Sequence, residues 1–381
     1  MLVRNAFTND TRVEREAQTL SDAGYAVTIV SDGRPGLPRT EQRAGATVRR
    51  ISRGGPNLPL LRFIAHQWRL RRALERSRPD ILHAHDTDAL QTIGPVGRRL
   101  GIPVVFDSHE LWLGRARRGH GSIYHRAAQT YYGWVERRWV PAAAAVMVAN
   151  PPVAPILERR YGLDRVHVVP NYPTERGSVE ERDLRSLPGG ETIPAGVPIV
   201  LYVGGITLDR GIEQLVDAMA SIPEAHLVFL GGGGLEPEIR QRVTERGMDR
   251  RTHFLGMVPS PDVVPYATSA TVGILSTVPT NLNNRLALPN KIFQYMAAGI
   301  PTVASDYPQV REVVVGSGAG LVYSPTDTTA LAASIRTYTE DQARAARDGA
   351  NGRRAIVERF HWDVSASTLL DVYRGLCEDV R

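Results

Sequence analysis

Apolar residues in this chain follow two alternating rhythms. Short unbroken runs, YAVTIVS (25–31), DILHAH (80–85), PVVFDSH (103–109), AAVMVAN (144–150) and VHVVPN (166–171), are separated by stretches such as Arg12–Ala23 and Phe63–Arg76, whose apolar positions recur every three or four residues. Runs of that length suit strands buried on both faces, and the wider spacing suits amphipathic helices. Their alternation predicts a parallel sheet covered by helices on each side. Over Tyr172–Val197 the rhythm stops: the segment is polar, rich in Gly and Pro and without period, which predicts an interdomain linker. It resumes in PIVLYVGG (198–205), HLVFLGGGG (226–234), HFLG (253–256), ATVGILS (270–276), PTVAS (301–305) and GLVY (320–323), with helices predicted near Ile212–Ser221, Leu235–Glu245, Asn290–Ala298 and Thr328–Glu340. The expected class is therefore α/β, with two doubly wound domains in tandem. Ligands bind outside the carboxyl ends of strands in such sheets, so two facing domains would form a cleft.

Length and composition agree with two folded domains, since 381 residues exceed what one core usually serves. With 42% hydrophobic and 23% charged residues, wholesale disorder is excluded. No apolar run approaches the roughly 20 residues of a membrane span, and Met1–Asp10 does not have the pattern of a secretory signal, so a cytoplasmic protein is expected. Cys377 is the only cysteine, which excludes an internal disulfide and a thiolate metal site. Lys291 is the only lysine among the 46 basic residues. Through Pro170 there are 26 arginines against 15 acidic residues, much of the excess in 61–78 and 114–138 among Trp68, Tyr131, Tyr132 and Trp134. Such a face suits solvated helices, or peripheral contact with an anionic membrane or acceptor. Nucleic acid has charge alone behind it and is not an expected partner.

Three segments carry candidate chemistry. In LYVGGITLDRGIEQLVDAM (201–219) a strand ends at Gly204–Gly205, Arg210 follows, and a helix begins after Gly211. Bare backbone, helix N–H groups and a planar cation suit a diphosphate, although an ordinary turn with a surface arginine has the same look. The triphosphatase loop and the Gly-x-Gly-x-x-Gly pattern are both absent. In NLNNRLALPNKIFQYMAAGIPTVAS (281–305), Asn290 is a candidate N-cap, Ile292, Phe293 and Met296 point to the core, and Lys291 and Gln294 share a helix face. In HAHD (83–86), His83 and His85 project from one face of a strand end. They suit cleft lining, a strand-end core position or a metal, but no third ligand is evident and no metal is expected. Gly231–Gly234 suits either nucleotide approach or a tight turn.

LPNKIFQYMAAGIPTVASD, together with VGGITLDRG, VVFDSHEL (104–111), NDTRVEREAQTLSDAGYAVTIVS (9–31), ILHAHDTDAL (81–90) and FHWDVSASTLLDVY (360–373), resembles the retaining glycosyltransferases of glycosyltransferase family 4, which have the GT-B fold. The likeness covers nearly the whole chain. It implies Rossmann-like domains over 1–172, for the acceptor, and 198–359, for the nucleotide sugar, a linker over 173–197, and a helix over 360–381 crossing back to the first domain. By that resemblance Gly204, Gly205, Gly256, Met257, Arg285, Leu286, Ala287, Leu288, Asn290 and Gln294 bind the donor, while Arg210, Lys291 and His109 act in catalysis. Asp10, Arg12, His83, His85, Asp86 and Glu110 lie on the acceptor side. The implied reaction moves a sugar, with retention and without a metal or other cofactor, from a nucleotide diphosphate to a polysaccharide, glycolipid or natural-product acceptor.

The chain departs from the family in three places. Gly205 stands where an arginine is common, with Arg285 a candidate replacement, and Leu286 and Gln294 stand where the family pairs two glutamates. An amide keeps one hydroxyl hydrogen bond but loses the charge-assisted strength. Alternatives are therefore a non-catalytic or repurposed nucleotide-sugar-binding protein and a nucleotide-sugar epimerase. A phosphorylase would need a pyridoxal-binding lysine, and the only one is already used.

Overall fold

The computed structural model describes residues 1–8, 10–55, 57–112, 123–174 and 179–379. The part of the basic 114–138 stretch through residue 122 lies outside the described residues. The chain divides into two compact units, Met1–Asn171 with Trp362–Arg381, and Tyr172–His361.

In unit 1 the elements run α1 (Thr11–Asp22), β1 (Thr28–Asp32), β2 (Thr40–Arg43), β3 (Ala46–Ile51), α2 (Pro59–Arg76), β4 (Leu82–His85), α3 (Asp86–Leu100), β5 (Val104–Ser108), α4 (Ile123–Trp139), β6 (Ala145–Val148), α5 (Ala154–Tyr161) and β7 (His167–Val168). The rows β2–β3–β1 and β4–β5–β6–β7 continue one another through Leu2, which bridges Val30 and Ala84 in parallel. Leu2 N–H donates to His83 O at 2.9 Å, and Val3 N–H donates to Val30 O at 3.1 Å. The β2–β3 hairpin is not anticipated by the hydrophobic pattern, because only alternate residues of β2 are even partly buried. Its signal is Ala44–Gly45, both at positive φ (49° and 68°), a two-residue turn suited to strand twist.

In unit 2 they run β8 (Ile199–Val203), α6 (Ile212–Ala220), β9 (His226–Leu230), α7 (Glu236–Glu245), β10 (Thr252–Phe254), α8 (Val263–Ala267), β11 (Val272–Leu275), α9 (Leu282–Leu286), α10 (Asn290–Ala298), β12 (Thr302–Ser305), α11 (Pro308–Val314), β13 (Gly320–Tyr323), α12 (Thr328–Glu340) and α13 (Gln342–Glu358). The sheet is parallel in the order β10–β9–β8–β11–β12–β13. Ile199, Leu201 and Val203 enter the core on one face and Val200 and Tyr202 the core on the other, which is why β8 reads as an unbroken apolar run. Helix α13 escapes the apolar pattern because it buries small residues, Ala345, Gly349, Gly352 and Ala355.

Residues 173–197 differ from the expected spacer. Leu184 and Ile193 are buried in the core of unit 2, and Arg182 pairs with Asp262 at 2.8 Å. Tyr172 already belongs to unit 2, its ring 5.0 Å from that of Phe293, and Phe360 and His361 belong there too. Residues 175–178 lie outside the described residues. The last helix, α14 (Trp362–Asp379), belongs to unit 1. It lays Trp362, Leu369, Val372, Tyr373 and Leu376 against Leu20, Val105 and Met147, and Trp362 Nε1 donates to Thr19 Oγ1 at 2.8 Å.

Because Leu369 is fully buried, Leu369→Ala is expected to destabilise unit 1 by about 3 kcal/mol. Urea unfolding checks this, and transitions unshifted from those of the native protein would remove α14 from that core.

Candidate active site

Strand β8 has β9 on one side and β11 on the other, so the winding of unit 2 reverses there and the following loops part at the carboxyl edge. Tyr295 of α10 wedges the gap: Val203 N–H donates to its hydroxyl at 2.9 Å, and that hydroxyl donates to Ile274 O at 3.1 Å. Gly204–Gly205 leave β8 at this point, and Tyr202 Oη donates to Gly205 O at 3.0 Å. Within 231–234, Gly231 is a packing residue. A Cβ on it would stand 2.0 Å from Gly204 O, and Ile206 N–H donates to Gly232 O at 3.1 Å.

The Arg210 loop is braced from β11. Ser276 Oγ donates to Arg210 O at 2.8 Å, Val278 N–H donates to Asp209 O at 3.2 Å, and Gly211 sits at φ +62°, where a Cβ would meet Ser276 O at 1.8 Å. The Arg210 side chain is left exposed. Lys291 lies in the first turn of α10 with Nζ 3.7 Å from the Tyr202 ring centroid. Burial, then the like charge of Arg210, hold its pKa well below the ordinary lysine value. Pro289, already extended, precedes the helix, so Asn290 is its first helical residue and not the N-cap expected from the sequence. Arg285 is exposed at the end of α9; Leu286, Ala287, Leu288 and Gln294 are half-buried. Gly256 bridges Gly231, and Met257 beside it is exposed. Lysine and arginine side chains, a helix N-terminus and bare glycine backbone at one sheet edge suit a diphosphate.

At the carboxyl edge of unit 1 the charged groups are paired. Asp10 caps α1, accepting from Val13 N–H at 3.3 Å. Arg12, within α1 and buried, donates twice to Asp107 at 2.8 Å and lies 3.1 Å from Glu16. His109 Nε2 lies 3.0 Å from Asp107 Oδ2 and 3.3 Å from His85 Nδ1, and its backbone N–H donates to Asp86 at 3.0 Å. Burial opposes protonation of His109, but Asp86 and Asp107 outweigh it and lift the imidazole to about 9. Burial, only partly offset by Arg12, lifts Glu16 to about 8. Burial also drops His85 to about 4. Asp107 is pushed upward by burial, yet Arg12 and His109 carry it well below the carboxylate range.

Three expectations for this edge need correction. His83 and His85 do not line an open surface: both are buried, their rings stacked 4.2 Å apart, with His83 Nδ1 2.9 Å from the hydroxyl of Tyr373. Arg12 is likewise enclosed, so of the six acceptor-side residues Glu110 is the exposed one. Further ligands do converge on the histidine pair, since Glu16 and Asp107 offer atoms within 4.8 Å of theirs. Arg12 occupies both oxygens of Asp107 and supplies the positive charge, so this donor set already has its cation. Glu16 and Asp107 went unnoticed in the sequence. Their signals are the four-residue spacing of Glu16 from Arg12 and the two-residue spacing of Asp107 from His109.

Residues 10–172 match the sequence model of Glycosyltransferase Family 4, and 197–341 match that of Glycosyl transferases group 1. The chain is 30% identical to the alpha-maltose-1-phosphate synthase of Mycolicibacterium smegmatis over 299 residues, 72% of this chain and 73% of that one. Among solved structures it is similar to a sucrose-phosphate synthase from Thermosynechococcus elongatus (TM-score 0.77, 24% identity, 96% of this chain and 93% of that one). It is also similar to the Anabaena protein HepE solved with UDP-glucose (TM-score 0.74, 16% identity, 98% of each chain).

Two outcomes follow from the electrostatics. His109 binds its proton more tightly when folded, so its contribution to stability is complete below its ordinary pKa and is lost as pH rises through about 9. Glu16 works in the same direction up to about 8. The melting temperature of the native protein is expected to fall across this alkaline window, and less steeply in His109→Gln; parallel profiles would refute the pairing. At the other edge, an incoming diphosphate reverses the field on Lys291, so binding pyrophosphate or a nucleoside diphosphate should take up a proton. Calorimetry in buffers of different ionisation enthalpy would show this uptake in the native protein and not in Lys291→Met.

Proposed function

The chain belongs to glycosyltransferase family 4 and is a glycosyltransferase, and on that premise we propose that unit 2 holds a nucleotide diphosphate sugar whose sugar passes, with retention, to an acceptor held by unit 1. The convergence of Lys291 and Arg210 on the braced glycine loop at the reversal of unit 2 carries this reading. As the glycosidic bond breaks, negative charge grows on the leaving diphosphate, and preorganised cations stabilise it more than they stabilise the bound donor. Lys291, Arg210 and the N–H groups opening α10 meet that charge, so no metal ion or other cofactor is required.

Around it, Gly204 and Gly205 let the diphosphate approach the backbone, Arg285 supplies a further cation, and Gly256 and Met257 face the base. The 286–288 segment and Asn290 face the sugar, and Gln294 receives a ribose hydroxyl. In unit 1, His109, held by Asp86 and Asp107, is the catalytic group, with Glu110 and Asp10 on the acceptor side. Arg12, His83 and His85 act through Asp107 and Tyr373, fixing the edge from beneath. Among the described residues no helix is long and apolar enough to cross a membrane. The exposed arginines of α2 support a cytoplasmic enzyme in peripheral contact with an anionic membrane.

Arg210→Ala is expected to cut turnover by about 100-fold or more with an unchanged fold, the scale of losing one preorganised charge-stabilising donor. The assay is donor hydrolysis and transfer with a panel of nucleotide diphosphate sugars. Turnover close to the native rate would move the diphosphate away from this loop.

A further inference from the structure

Helix α2 is packed on one side only, and only from His66 onward. His66, Gln67, Leu70 and Leu74 are its buried residues. Ahead of them Leu58, Leu60, Leu61, Phe63 and Ile64 are all exposed, Leu60 to 69%, as is Trp68, whose ring carries the Arg72 guanidinium 4.8 Å from its centroid. Buried pairing does not account for so many large apolar groups on one short stretch, and arginines 62, 71, 72 and 76 are exposed among them. Apolar anchors interleaved with arginines are what a helix lying in an anionic membrane interface presents.

A cavity of about 400 Å³ opens beside the first turns of α2, lined by Arg4, Arg53, Arg62, Phe63, His66 and Tyr132, with Asp88 at its wall. Asp32, buried at the end of β1, organises it from below: it takes His66 Nε2 at 2.6 Å and Arg4 Nε at 3.3 Å, and it pairs with Arg53. Three guanidinium groups against the carboxylates of Asp32 and Asp88 leave the cavity with an excess of positive charge. Phe63 and Tyr132 give it apolar walls. It lies at the carboxyl edge of unit 1, since Arg4 follows the Leu2 bridge, Arg53 follows β3 and Asp88 lies in the first turn of α3.

Resting on the transfer reaction proposed above, we infer that the acceptor is a membrane lipid with a phosphate-bearing headgroup: the headgroup enters the Arg4–Arg53–Arg62 cavity while Leu58–Ile64 and Trp68 seat in the bilayer. One surface thus supplies both the membrane contact and the acceptor subsite. The charge complementarity of the cavity and its continuity with the apolar turns favour this amphiphile over a water-soluble sugar.

Flotation of the full chain with vesicles tests it, using phosphatidylcholine alone and phosphatidylcholine mixed with phosphatidylglycerol, at low and high salt. The native protein should float with the mixed vesicles, about tenfold or more in excess over neutral ones, and lose this preference as salt screens it. A Leu60→Ser, Leu61→Ser, Ile64→Ser variant, altered at exposed positions, should lose flotation with both compositions. Arg53→Gln with Arg62→Gln should lose the preference for phosphatidylglycerol and retain weak binding to neutral vesicles. Absence of flotation, equal flotation with both compositions, or binding of soluble glycerol 3-phosphate to a protein that ignores vesicles would each overturn the inference. Nucleoside diphosphate affinity, measured by calorimetry on the same proteins, should be unchanged in every variant. Its absence in the native protein would instead overturn the transfer reading and leave the vesicle result standing.

Discussion

A parallel sheet whose winding reverses must leave one pair of neighbouring strands whose outgoing loops turn to opposite sides, and nothing in the sheet itself fills the gap between them. In unit 2 that pair is β8 and β11, and in unit 1 it is the Leu2 segment and β4. The chemistry of each unit gathers there because that edge exposes backbone groups, admits loops from separate strands and lies outside the helix layers. Tyr295 makes the gap in unit 2 permanent by satisfying Val203 N–H and Ile274 O with one hydroxyl.

The two edges handle charge in opposite ways. At the edge of unit 1, burial is compensated internally: Arg12 with Asp107, His109 with Asp86 and Asp107, and Glu16 keeping its proton at neutral pH. A charge so enclosed would be costly without a partner, so these groups are fixed relative to one another and orient His109. At the edge of unit 2, Lys291 and Arg210 repel, and Lys291 faces an aromatic ring. Burial and the like charge of Arg210 both draw the Lys291 pKa down, a shift that a lysine accommodates more readily than an arginine.

The departures at Gly205, Leu286 and Gln294 fit the same division. Gly205 offers its carbonyl to Tyr202, which supports the ring beneath Lys291, so that position contributes by shaping the cation's surroundings. Gln294, three residues on from Lys291, adds a hydrogen-bonding group without bringing another formal charge beside it.

Periodicity alone determined the class, the place of nearly all the strands along the chain and the span of α10 and α12, because a strand buried on both faces and a helix packed on one have no other way to distribute apolar residues. The signature loops were legible for the same local reason: glycine and proline act on their own backbone. What escaped were features whose signal is weak or held by distant residues. Strand β2 is too exposed to register, α13 packs through small residues, and the 173–197 segment looks like a linker although Leu184 and Ile193 anchor it in a core. His83, His85 and Arg12 carry recognisable chemical groups, but their burial follows from Tyr373 arriving from nearly the far end of the chain and from Asp107 on the strand beside that of the histidines. Sequence specifies which groups are present; only the packing of separated segments decides which are desolvated, and desolvation sets their charge.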